Sequence, residues 1–158
     1  MKVCVPVPET MLSEATGLWR SAFGNRHGKV LRARAENAIA VVSQDGLEGI
    51  AGLRDHRGGF LTISSPLSRI LFRPAPPTAD LVLDGIVVRR RRRGYGRALV
   101  AAAEAEARHR HRPGLRAEVR LRNLSALAFY HRLGFVEETR GWYGWPWSGR
   151  VVVLRKKV

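Results

Sequence analysis

The chain has 158 residues, 45% of them hydrophobic, and a formal net charge of +15 from 28 lysines and arginines against 13 aspartates and glutamates. That length holds one domain with a proper core, and the apolar share excludes a disordered chain. No apolar stretch reaches the length of a membrane span, the Met1–Pro6 start has no signal-peptide pattern, and the lone Cys4 excludes an internal disulfide and a cysteine-based zinc site. These features predict a cytoplasmic protein with no metal centre.

In chain order, Lys2–Val7 reads as a first strand closed by Pro6 and Pro8. Glu9–Phe23 reads as an amphipathic helix whose apolar face is Met11, Leu12, Ala15, Leu18, Trp19, Ala22 and Phe23, with Trp19 and Phe23 as core residues. A polar break at 25–29 precedes a second short helix over Val30–Glu36. Ala38–Ser43 and Leu47–Leu53, joined by Gln44-Asp45-Gly46, predict an antiparallel hairpin, because Asp-Gly supplies the positive φ of a tight turn. Phe60–Ile63 reads as a short strand. Ser65-Pro66 then caps a helix over Leu67–Phe72, with Leu67, Ile70 and Leu71 facing inward, before Arg73–Pro77 stops it.

Leu81–Val88 is apolar almost throughout, as a strand buried on both faces should be, and Asp84-Gly85 marks a bulge within it. Five arginines follow, Arg89–Arg93, then Gly94-Tyr95-Gly96 and an alanine-rich helix from Arg97 to about Arg110. Strand, basic glycine loop and helix in that order make an anion site. The glycines admit a ligand to the backbone, and the helix start offers unpaired N–H groups and partial positive charge. Leu99 replaces the third glycine of a dinucleotide fingerprint, and no Gly-Lys-Ser/Thr follows, so neither of those phosphate motifs fits. The net charge itself reads mainly as an arginine-rich composition, with Arg89–Arg93 as its functional part.

Leu115–Leu121 reads as a strand parallel to its predecessor across a right-handed helical connection. Asn123 or Ser125 caps the next helix and Gly134 ends it. Asn123 and Tyr130 lie two turns apart on one helix face, about 10 Å along the axis, so one extended ligand reaches both. Phe135–Trp142 and Arg150–Arg155 are the last strands. The aromatic loop Trp142–Trp147 between them reads as a wall for a second substrate, a dimer contact or ordinary packing.

Two blocks, Arg91-x-x-Gly94-x-Gly96 and Asn123-x-x-Ala126-x-x-x-Tyr130-x-x-x-Gly134-Phe135, resemble in order and content the paired motifs of the GNAT superfamily of acetyl-CoA-dependent N-acetyltransferases. The resemblance implies an α/β (α+β) fold. It has a mixed central sheet of about six or seven strands, splayed between 81–88 and 115–121, and helices on both faces. It also implies one domain in three regions: 1–79 bordering the acceptor, 80–140 binding the coenzyme, and 141–158 forming the aromatic loop and last strand. The implied coenzyme contacts are Ile86, Val87, Val88, Arg91, Arg92, Arg93, Gly94, Tyr95, Gly96, Arg97, Ala98, Asn123 and Tyr130. Tyr130 is the implied general acid, and Asp84 or Glu118 the candidate base. The implied acceptor is a small-molecule or peptide amine, with no membrane partner expected; a homodimer is an open option. The 57–77 connection is longer than many family members carry, and it reads either as shaping the acceptor pocket or as a surface cover. Val88 to Gly94 is about two residues short of the family spacing, so either the strand ends near Ile86 or the loop is tighter. Two other functions compete. A nucleic-acid-binding module leaves 123–135 unexplained, and a non-catalytic coenzyme A sensor shares the same fold.

Overall fold

A computed structural model describes residues 1–23 and 29–158. In chain order the elements are β1 (Lys2–Cys4), α1 (Glu9–Phe23), β2 (Lys29–Ala33), β3 (Ala38–Ser43), β4 (Gly46–Arg54), β5 (Leu61–Ser64) and α2 (Pro66–Leu71). There follow β6 (Leu81–Val88), α3 (Tyr95–His109), β7 (Gly114–Arg120), α4 (Leu124–Arg132), β8 (Val136–Gly141) and β9 (Val151–Lys157). Among the described residues seven strands form one mixed sheet in the order β1-β3-β4-β6-β7-β9-β8, and β2 pairs with β5 apart from it. Only β6 and β7 run parallel within the large sheet; α3 makes the crossover between them.

The alternation of β3 and β4 sorts the core into two layers. Ile39, Val41, Ala51 and Leu53 point to the face covered by α3, where Leu99, Val100, Ala103 and Ala107 are buried. Ala38, Ala40 and Ile50 point to the opposite face, where α1 contributes Ala15 and the partly buried Trp19. Small residues on α3 bring that helix close to the sheet, as its composition predicts.

Trp19 lies so close over β4 that a Cβ on Gly52 would sit 2.5 Å from its ring. Phe23 crosses Gly85 of β6 in the same way, again at 2.5 Å. The two glycines are steps cut into the sheet for the aromatic residues of α1. Gly52→Ala is therefore an overpacking change. It should lower stability by about 1–3 kcal/mol in urea unfolding, with acetylatable substrate absent.

Several expectations change. Val30–Glu36 is not a helix: Lys29–Ala33 is a strand, followed by a 3-10 turn at Ala35–Asn37. Its ladder partner is β5, about 30 residues on, and Arg34 N–H donates to the Phe60 carbonyl at 2.8 Å. That distant partner outweighs local helix propensity. The first part of the 25–29 break lies outside the described residues. Ser65 caps α2 as expected, accepting from Ser68 N–H at 3.3 Å, but α2 buries nothing. Ile70 is 81% exposed, and Leu67 and Leu71 also face solvent, because a helix of six residues on the rim has no layer above it. Phe23 is 46% exposed and is not a core residue. The hairpin turns at Gly46 (φ 101°), and Gly134 (φ 86°) closes α4, with Phe135 N–H donating to the Tyr130 carbonyl at 3.1 Å.

Candidate active site

The site begins with the bulge. Gly85 pairs with Gly52 and Leu83 with Leu53, so Asp84 is the extra residue on β6. The ladder from β6 to β7 holds for three pairs only, Leu81–Leu115, Val82–Arg116 and Leu83–Ala117. Past the bulge the strands part, as the splayed sheet requires, and the β7-facing backbone of β6 has no ladder partner. A cleft of about 1290 Å³ occupies the opening, bordered by Gly85 and Ile86 on one side and Glu118, Val119 and Arg120 on the other.

Arg54 of β4 sits on the cleft floor and holds both candidate bases. Its Nε donates to Asp84 at 2.8 Å and its Nη2 to the two Glu118 oxygens at 3.2 and 3.3 Å. Burial raises the Asp84 carboxyl above the ordinary aspartate range, Arg54 opposes that rise, and the nearby Glu118 adds to it.

Tyr130 is 6% exposed and wedged edge-on between Phe129 and Phe135, with ring centroids at 5.2 and 5.1 Å. It borders the cleft, and its hydroxyl has no hydrogen-bond partner among the described residues. Burial raises its pKa, so it stays protonated through the neutral range. Asn123, which borders the same cleft, is the cap of α4: its Oδ1 accepts from Ala126 N–H and from Ser125 Oγ, both at 3.2 Å. The helix-face argument thus brings Asn123 and Tyr130 to one cavity.

The glycine loop lies at the end of β6. The strand does run to Val88, and the loop turns tightly through Arg92 (φ 60°) and Gly94 (φ 79°). A left-handed φ at Gly94 tolerates no side chain without strain, and the space beside it is open. Ala98 N–H is the first of α3 to find a backbone partner, on the Gly94 carbonyl at 3.0 Å, which leaves Tyr95, Gly96 and Arg97 N–H without a backbone partner among the described residues. Gly96 also serves packing, since a Cβ there would lie 3.2 Å from Phe129.

The arginine run divides. Arg89 pairs with Glu14 at 2.8 Å, and Arg90 pairs with Asp45 at 2.6 Å and with the buried Glu48. Arg91, Arg92, Arg93 and Arg97 form no ion pair among the described residues. Ile86 borders the cleft, whereas Val87 packs toward α1 and Val88 toward α3.

The far wall comes from the aromatic loop and the 57–77 connection, tied together by a backbone bridge. Arg73 N–H donates to the Gly144 carbonyl at 2.9 Å, and Gly144 N–H donates back at 2.6 Å. Phe72 meets Trp145 edge-on at 5.6 Å, and both border the cleft with Tyr143. The sequence reading missed Arg54, Arg20 and Arg120, the last two also on the cleft wall. Nothing local marks Arg54, whose partners lie 30 and 64 residues away.

Comparisons agree with this geometry. The family model described as the acetyltransferase (GNAT) family matches residues 47–135. A structure described as an acetyltransferase covers all of both chains at 16% identity and TM-score 0.76. A Salmonella typhimurium protein, yncA, solved with its cofactor acetyl-CoA, has 13% identity over 99% of this chain and 92% of that one, with TM-score 0.65. The ribosomal-protein-S18-alanine N-acetyltransferase of Escherichia coli has 16% identity over 99% and 93%, with TM-score 0.59. No curated protein matches the sequence. The parted parallel strands, the glycine loop and the family match define an acetyltransferase fold. The chain belongs to the GNAT acetyltransferase family. Among the described residues no helix is long and apolar enough to cross a membrane.

Proposed function

We propose that the protein is an acetyl-CoA-dependent N-acetyltransferase that moves an acetyl group directly to a primary amine held in the cleft. The observation that carries this reading is the opening between β6 and β7, where Asp84, Asn123, Tyr130 and unpaired β6 backbone border one cavity. The residues present fit the coenzyme. Open N–H groups at the positive end of α3, the space beside Gly94, and the unpaired Arg91, Arg92, Arg93 and Arg97 suit a pyrophosphate. Acetyl-CoA, when bound, supplies a thioester whose carbonyl carbon accepts the amine nitrogen and whose sulfur departs.

The chain's own residues do the rest. A backbone N–H among Ile86, Val87 and Val88 donates to the carbonyl oxygen as negative charge develops there. Asp84 takes the proton from the amine as the N–C bond forms; its raised pKa makes it a stronger base than an ordinary aspartate. Glu118, on the same arginine, is the second candidate. Tyr130 gives its proton to the sulfur as the C–S bond breaks. The aromatic wall of Phe72, Tyr143 and Trp145 encloses the acceptor.

Thermal unfolding tests the coenzyme site. Acetyl-CoA at about 100 times its dissociation constant should add about 2.7 kcal/mol, beyond any effect of ATP or a short DNA duplex at physiological salt. Equal rises with all three would show generic binding of polyanions by the arginines and overturn the reading.

A further inference from the structure

The large sheet carries another bulge, on the strand beside β6. Val41 of β3 pairs with Gly49 and Val42 with Leu47, so Glu48 is the extra residue on β4. A bulge re-aims a side chain, and here it buries a carboxylate: Glu48 is 2% exposed. Such burial is costly unless the charge is paired and hydrogen-bonded. Glu48 accepts from Arg90 Nε at 3.1 Å, from Arg90 Nη2, and from Ser43 Oγ at 2.9 Å. Its backbone carbonyl accepts from Arg89 N–H at 2.8 Å, one step beyond Gly49–Val88, the last ladder pair of β4 and β6. The hairpin turn adds a further hold, since Arg90 Nη2 also donates to Asp45 Oδ2 at 2.6 Å.

These contacts fall on the residues that lead into the glycine loop. Only Arg91 to Gly94 separate the fastened Arg90 from the first residue of α3. All of them are exposed, and Arg92 and Gly94 hold a positive φ. Arginine rarely adopts that backbone, which persists only where the surrounding structure fixes the segment. At the far end α3 is packed on the sheet through Leu99 and Val100. At the near end the fixed point is Glu48.

Resting on the acetyltransferase reading above, we infer that Glu48 is a positioning residue for the coenzyme: through Arg90 and the Arg89 backbone it clamps the entry of the glycine loop in the shape that receives the pyrophosphate. Buried and negative, Glu48 makes no contact with the phosphates itself. If the loop kept that shape only about a tenth of the time without the clamp, the apparent Kd for acetyl-CoA would rise about tenfold. The sign separates this role from through-space electrostatics. Removing a negative charge near an anion site tightens anion binding by Coulomb attraction alone, whereas losing the clamp weakens it.

The test titrates acetyl-CoA calorimetrically into the whole protein as wild type, as Glu48→Gln, and as the double variant Glu48→Gln with Arg90→Gln. The double variant changes no net charge and leaves no buried charge unpaired, so it serves even where the single variant folds poorly. Both should bind acetyl-CoA about tenfold more weakly than wild type. Amide exchange at Arg89 and Ala98, followed without coenzyme, should be faster in both. Equal or tighter binding in the variants overturns the inference, and a lowered melting temperature with unchanged Kd makes Glu48 a folding residue only. In either case the acetyltransferase reading stands. If the wild type binds no acetyl-CoA, that reading fails; faster exchange at the two amides then still assigns the clamp to the loop, and unchanged exchange removes it.

Discussion

Tyr130→Phe should lower kcat by about 10² to 10⁴, the usual contribution of a positioned general acid, while acetyl-CoA binding and melting temperature hardly change. The separation of these readouts follows from the environment of the hydroxyl. The ring is packed between Phe129 and Phe135, and phenylalanine keeps that packing. The hydroxyl has no partner among the described residues, so its removal breaks no hydrogen bond to any of them and leaves none of their groups unsatisfied. A buried phenol with a raised pKa also adds no falling limb to the rate profile near neutral pH. Single-turnover kinetics with calorimetric acetyl-CoA binding checks the prediction. Unchanged turnover would reduce Tyr130 to a packing residue, and loss of binding with turnover would make it a coenzyme contact. A protein that binds coenzyme A only as a sensor would bind normally with no turnover to lose.

What the sequence exposes is what its local chemistry determines. Leu81–Val88 reads as a buried strand because it is apolar on both faces, and Asp84-Gly85 announces the bulge because glycine weakens a strand there. Asp45-Gly46, Ser65-Pro66 and Gly134 mark turns and caps through backbone preferences that hold in any context. The misses share a different cause. Val30 to Ala33 becomes a strand only because β5 lies beside it, and Arg89 and Arg90 leave the anion site because Glu14, Asp45 and Glu48 arrive from elsewhere. Phe23 leaves the core because α1 ends over Gly85, at the mouth of the cleft. Each miss is a long-range partnership, invisible to periodicity and decisive for which charges remain free.

Arg54 is the plainest case, and its removal should have the second large effect. In the wild type one guanidinium spans two carboxylates that flank the parting of β6 and β7. Arg54→Gln leaves Asp84 and Glu118 as neighbouring like charges, and two consequences follow. First, the Asp84 carboxyl, already raised by burial, should rise further, so the acid limb of kcat/KM moves to higher pH. With the floor no longer held, misplacement of the base should also cost about 10² in kcat/KM even on the plateau. Second, stability should acquire a pH dependence of defined sign. A carboxyl whose pKa is higher folded than unfolded takes up protons on folding, so its contribution falls as pH rises through the folded pKa. The deficit of Arg54→Gln against wild type, measured by urea unfolding, should therefore be larger at neutral pH than under acid conditions. Arg54→Lys should recover only part of either effect, because a point charge cannot serve both carboxylates in one plane. A deficit independent of pH, with an unmoved acid limb, would mean that Arg54 acts through packing alone and that the proton from the amine leaves by another group.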